Sequence, residues 1–177
     1  MLKPRFLALV TLILAAAATR LLPHPPNMTS IAAVALFGGA YFADKRVAFL
    51  VPLTAVFLSD LILGFYGGMA AVYFAFVLVV CIGLWLQKHR SVLTIAGASI
   101  ASSIVFFLVT NFVWFHIGDT PYPLNVHGMV ESYVAALPFF RNTLIGDLLY
   151  TALLFGGFAL LESRFVMLRE SPLPQAA

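Results

Sequence analysis

The chain has 177 residues, of which 62% are hydrophobic and 10% charged, and its mean hydropathy is +1.01. So few polar side chains cannot cover a water-facing surface, which excludes a soluble globular domain and makes lipid the solvent. The sequence pI of about 9.2 comes from ten Lys and Arg spread over the connecting segments, not gathered in one patch, which argues against nucleic acid as a partner.

A hydrocarbon layer of about 30 Å is crossed by roughly 20 helical residues. The hydropathy pattern therefore predicts an all-α, polytopic membrane protein: one membrane domain of six transmembrane helices that uses nearly the whole chain. The first span is 6–22, ended by Pro23, Pro25 and Pro26, which remove backbone donors and forbid a continuing helix. Asn27 then fits an N-cap for a short second span, 28–43. Gly38 and Gly39 within it allow close helix packing or else loosen the helix end. The third span is 47–63, followed by a turn at Gly64, Gly67 and Gly68. The fourth is 69–86, closed by the polar run Gln87, Lys88, His89, Arg90, and the fifth is 92–116. A wetter stretch at 117–137 separates it from Pro138 and the last span, 139–161, and a disordered tail is expected at 171–177. Lys3, Arg5, the apolar 6–14 and the small residues 15–18 also fit a cleavable signal peptide. The retained helix is the reading taken here.

Orientation follows from Lys and Arg on alternate connections. Lys3, Arg5, Lys45, Arg46, Lys88, Arg90, Arg164 and Arg169 fall on one side, and only Arg20 and Arg141 on the other. The positive-inside rule then places both termini in the cytoplasm.

Polar groups gather on the outer side: Arg20, His24, Asn27, Asp60, Tyr66, Asn111, Trp114, His116, Asp119, Tyr122, His127, Glu131, Arg141, Asn142 and Asp147. Acids within spans are costly, so Asp60 and Asp147 need a reason to be there. In the plainer reading they pair with Arg20 and Arg141 and hold the bundle together. The collection as a whole predicts a polar outer cavity roofed by residues 23–27 and 117–137. Thr143, Asp147 and Tyr150 share a helix face by three- and four-residue spacing and are expected to point into it.

No GxxxxGK[ST], HExxH or GxSxG motif is present, so an ATP-driven role requires a partner and no hydrolase chemistry is indicated. The four histidines lack zinc-ligand spacing. Cys81 is the sole cysteine, on the fourth span with Tyr73, Val77 and Trp85 on about the same side. Its plain reading is a small, inert core hydrophobe.

Arg20-Leu21-Leu22-Pro23-His24-Pro25-Pro26-Asn27, the run from Ala35 to Phe42, Leu58-Ser59-Asp60, Thr110-Asn111-Phe112 with Trp114, Leu137-Pro138-Phe139-Phe140 and Gly146-Asp147 carry a resemblance over nearly the whole chain. It resembles the S-components of energy-coupling-factor (ECF) vitamin transporters of the bacterial inner membrane. With its small size and lone Cys81 it is most similar to the BtuM-type vitamin B12 transporters. The resemblance implies a transporter rather than an enzyme, with no cofactor of its own, that takes cobalamin or another corrinoid from the outer side. Cys81 would be the axial cobalt ligand, with an accessory decyanation of cyanocobalamin through the same thiol. Asn27, Asp60, Tyr66, Tyr73, Asn111, Trp114, Tyr122, Arg141, Asn142 and Asp147 would contact the substrate. The expected partners are the bilayer and an ECF energising module of T-component and ATPases. The small residues that such modules recognise are bunched here at 15–18, which leaves solitary operation open. An S-component for a smaller vitamin and a non-transport membrane scaffold are the alternatives.

Overall fold

The computed structural model describes residues 3–117 and 121–169; Asp119 and the expected tail at 171–177 lie outside them. The described residues form helices and turns without strands. In chain order these are α1 (Pro4–Ala18), a 3-10 turn (Thr19–Leu21), α2 (Ile31–Tyr41), α3 (Lys45–Leu63), α4 (Met69–Leu86), α5 (Val92–Ile117) and α6 (Val126–Thr151). A π-helical segment (Ala152–Gly156) joins α6 to α7 (Gly157–Arg164), and a second 3-10 turn (Val166–Leu168) follows. Among the described residues five stretches are long and apolar enough to cross a membrane: Pro4–Leu21, Lys45–Leu63, Met69–Leu86, Val92–His116 and Val126–Arg164. Their outward faces carry exposed Leu50, Phe57, Ile62, Phe74, Leu108, Leu149 and Leu160, as lipid contact requires.

The second span departs from expectation. α2 has 11 helical residues, about 16 Å at 1.5 Å per residue, too short to cross a hydrocarbon layer by itself. It is instead the hub of the bundle. Residues 31–40 are all buried, and α2 touches α1, α3, α4, α5 and α6. The Phe6 and Phe42 rings meet at 5.7 Å, while Ser30 at the other end donates to Ala16 O, so α2 runs antiparallel to α1.

Two glycines permit this burial. A Cβ on Gly39 would lie 2.5 Å from Val80 O, and one on Gly83 would lie 2.4 Å from Leu36 O, so α2 and α4 cross backbone to backbone. A Cβ on Gly38 would lie 2.2 Å from Pro52 Cγ of α3. The pair Gly38-Gly39 therefore serves close packing on two sides rather than loosening the helix end. Gln87 completes the joint, with its Nε2 donating to Gly39 O and Phe42 O at 2.9 Å each and so satisfying carbonyls at the end of α2.

The last span also differs. α6 starts at Val126, capped by Asn125, whose side chain accepts from the Gly128 N–H at 2.9 Å, and it runs straight through Pro138. Helical structure continues to Arg164, 39 residues or about 58 Å, so most of the stretch expected to be a loop at 117–137 is helix. A proline inside a helix is tolerated where neighbouring helices support the freed backbone groups. At this helix's far end Glu162 receives a hydrogen bond from Arg5 Nη1, which also donates to Leu168 O at 2.6 Å and ties α1 to the second 3-10 turn. The bundle thus has an Arg5 end and an Arg20 end.

The crossing at Gly39 and Gly83 predicts an asymmetric response to added bulk. Gly83→Leu should force α2 from α4 and lower stability by at least about 1–3 kcal/mol, the usual cost of overpacking. Gly97→Ala, where a Cβ meets nothing within 4 Å, should leave melting in detergent unchanged.

Candidate functional site

The Arg20 end is organised by a buried ion pair. Arg20, in the turn after α1, holds Nη1 2.8 Å from Asp60 Oδ1 of α3, with the side chains 8% and 0% exposed. The approach is ionic rather than an aligned hydrogen bond, since Asp60 Oδ1 has no hydrogen-bond donor in line. Nη1 also donates to Ser59 Oγ and, at 3.4 Å, to Val56 O. Tyr73 of α4 donates its hydroxyl to Asp60 Oδ2 at 2.7 Å. Arg20 Nε, by contrast, is buried with no acceptor among the described residues.

Beside this pair lies a cavity of about 210 Å³ lined by Arg20, Asn27, Thr29, Ile31, Ala32, Tyr66, Val72, Phe76, Phe106, Thr143 and Asp147. Its floor is the start of α2, whose short helix stops inside the bundle. The segment between α1 and α2 closes one side. Asn27 adopts φ of 62°, the left-handed region that asparagine enters more readily than most residues, and lets the chain turn back after Pro25 and Pro26. Asn142 Nδ2 of α6 donates to Pro26 O at 3.0 Å, and a Cβ on Gly146 would lie 3.2 Å from Met28 Cα, so α6 straps this segment down.

Asp147 comes from the α5–α6 wall. It is 2% exposed and accepts from Ser103 Oγ at 2.6 Å; no ion pair to it occurs among the described residues. Ser103 also donates to Ser99 O, and Thr151 donates to Ser99 Oγ at 3.1 Å, giving a buried polar seam that leads away from the cavity. Tyr66, in the α3–α4 connection, leans on the Arg20 guanidinium. Burial, and after it the Asp60 carboxylate, raise its hydroxyl above the usual phenol range, so it remains a donor at neutral pH.

Of the residues expected from the sequence, Asn27, Tyr66 and Asp147 line this cavity. Asn111 lines a smaller adjoining one of about 80 Å³, which shares Asn27, Phe106 and Thr143. Asp60 and Tyr73 stand behind Arg20, and Asn142 acts on the strap. Trp114 is half exposed and covers Gly67 and Gly68, from which a Cβ would lie 3.7 and 3.6 Å from its ring. Tyr122 is half-buried away from either cavity, and Arg141 is exposed, so the Arg141–Asp147 pair does not form, whereas the Arg20–Asp60 pair does. Thr143 and Asp147 point into the cavity together, but Tyr150 packs against the core.

The structure does not bring Cys81 to the cavity. The thiol is exposed, and it lies five residues beyond the cavity-lining Phe76: about 7.5 Å further along α4 and roughly 140° around it. Among the described residues no group of three His, Cys, Asp or Glu is placed to hold a metal ion. Sequence reasoning left Thr29, Ser103 and the aromatic wall of Phe76 and Phe106 out of the site, since nothing in their spacing separates them from ordinary core residues.

A multi-helix bundle of membrane-crossing length, with a cavity lined by both polar and apolar side chains at its Arg20 end, is thus what the coordinates define. The chain belongs to DUF6580, a family of unknown function whose profile matches residues 1–173. No curated protein and no solved structure matches it.

The ion pair predicts graded losses. Asp60→Ala strands a buried guanidinium and should cost about 3–5 kcal/mol. Tyr73→Phe removes one bond to a charged acceptor and should cost about 1.5–3 kcal/mol. Arg141→Ala should be neutral. Denaturation of the purified protein in one detergent ranks the three.

Proposed function

We propose that the chain crosses the bacterial cytoplasmic membrane six times with both termini inside, and binds a small solute from the outer face as the substrate-binding part of a transporter. The observation that carries this reading is the convergence of Arg20 and Asn27 from the α1–α2 connection, Tyr66 from the α3–α4 connection, and Thr143 and Asp147 of α6 on one cavity at the Arg20 end. Three of these, Arg20, Thr143 and Asp147, are buried, and ionisable groups held inside a lipid-facing bundle are costly enough to point to function. The eight-to-two division of Lys and Arg supports the orientation. α2 serves as one crossing that the non-helical strap completes, as non-helical backbone at membrane depth is tolerated where protein buries it or it lines a cavity.

Within the S-component resemblance, the geometry favours a small solute over a corrinoid. A cavity of about 210 Å³ falls below the range for drug-sized ligands and far below the bulk of a corrin macrocycle. With Cys81 exposed on the far side of α4, cobalt ligation and decyanation have no support from this cavity. Docking on a shared energising module and solitary operation both fit the first helix, where Ala16 and Ala17 are buried while the side chains at 15 and 18 face outward.

Native mass spectrometry of the full chain in nanodiscs is the test. The expected result is a small, colourless bound molecule, lost or weakened at least about tenfold in Thr29→Phe, which fills the cavity, while the fold persists. Visible corrinoid absorbance that disappears in Cys81→Ser contradicts the small-solute reading, and a co-purifying protein with no small molecule supports a scaffold instead. Reporters fused at Lys88 and after Ala177 should both read inside.

A further inference from the structure

The start of α2 is a set of donors without acceptors. Ser30 stands at the N-cap position, but its hydroxyl turns away to Ala16 O at 2.6 Å and caps nothing. On α3, by contrast, Asp44 accepts from the Arg46 N–H at 2.7 Å, and Asn125 caps α6 in the same way, whereas α1 and α4, like α2, have no side-chain cap. In α2 the first N–H with a partner is that of Val34, bonded to Ser30 O at 2.9 Å. The N–H groups of Ile31, Ala32 and Ala33 therefore have no acceptor among the described residues, and all three residues are buried. Unsatisfied donors in such a place are costly, and the aligned peptide dipoles add about half a positive charge there.

A second, independent observation concerns a residue of the same cavity. Arg20 Nε is an unpartnered buried donor on a side chain only 8% exposed, and Arg20 lines the cavity together with Ile31 and Ala32. The acids nearby do not supply the missing acceptor. Asp60 is occupied by Arg20 Nη1 and Tyr73, and Asp147 is held by Ser103 on the α5–α6 wall. What would complete both sets of donors is one compact anionic acceptor. With Arg20 already paired with Asp60, and Asp147 across the cavity, a singly charged group fits better than a phosphate dianion.

We infer that the solute of this cavity is a small organic carboxylate. Its carboxylate receives hydrogen bonds from the first-turn N–H groups of α2 and from Arg20 Nε, in the manner of anions at helix N-termini. Its apolar body lies against Val72, Phe76 and Phe106. The inference rests on the reading of the cavity as a solute site and adds the chemical class of the solute.

Three matched probes decide it: 3-phenylpropionate, 3-phenylpropionamide and 3-phenylpropylamine, titrated calorimetrically into the full chain in nanodiscs. The carboxylate should bind at least tenfold tighter than the amide or amine. Thr29→Asp places a rival negative charge on the cavity wall and should weaken the carboxylate at least tenfold more than it weakens the amide, and at least tenfold more than the neutral, similarly sized Thr29→Asn weakens the carboxylate. If the amide or amine binds as tightly as the carboxylate to the unaltered protein, the carboxylate assignment is overturned while the solute cavity stands. If none of the three binds at millimolar concentration, both fall. The comparison of probes on the unaltered chain holds even if a Thr29 variant fails to fold.

Discussion

A guanidinium and a carboxylate shut away from water must neutralise each other, and the Arg20 end is arranged around that requirement. Arg20 follows α1, Asp60 sits near the end of α3, and Tyr73 belongs to the second turn of α4, so one charge pair fixes three helices relative to one another. Removing either partner leaves a charge that the interior cannot solvate, which is far more costly than losing an exposed pair. Nη1 alone meets the pair's demands, which leaves Nε without an acceptor among the described residues.

The second constraint is the short central helix. α2 is buried on every face, and two glycines let α3 and α4 approach its backbone. A longer helix in this position would fill the Arg20 end. Stopping at Ile31 leaves room beneath the strap, and the strap stays in place through Asn142 and the close approach of Gly146 to Met28. The cavity is a consequence of helix length, and its electrostatics follow from which end of that helix faces it.

Much of this was legible in the sequence because hydrophobic runs and glycine turns act locally. The positions of α1, α3, α4 and α5 match the expected spans within a few residues, and Asn27, Tyr66 and Asp147 were singled out by being polar near span ends. Other features depend on tertiary contacts that no local pattern records. Pro138 reads as a helix start, yet Asn125 caps the helix earlier and it continues through the proline. The second span has enough apolar residues for a crossing, but only the part held by α3 and α4 is helical. Cys81 stands out by rarity alone, and the direction of a helical side chain is decided by which neighbours the helix packs on. Thr29 and Ser103 belong to the site through where their backbones pass.

The claim that one buried pair holds the Arg20 end together is tested most directly by a double-mutant cycle on Arg20→Met and Asp60→Leu, with stability measured in nanodiscs. A coupling of about 2–3 kcal/mol, with the double variant more stable than either single one, is what the account predicts. Single losses that are small and simply add would contradict it.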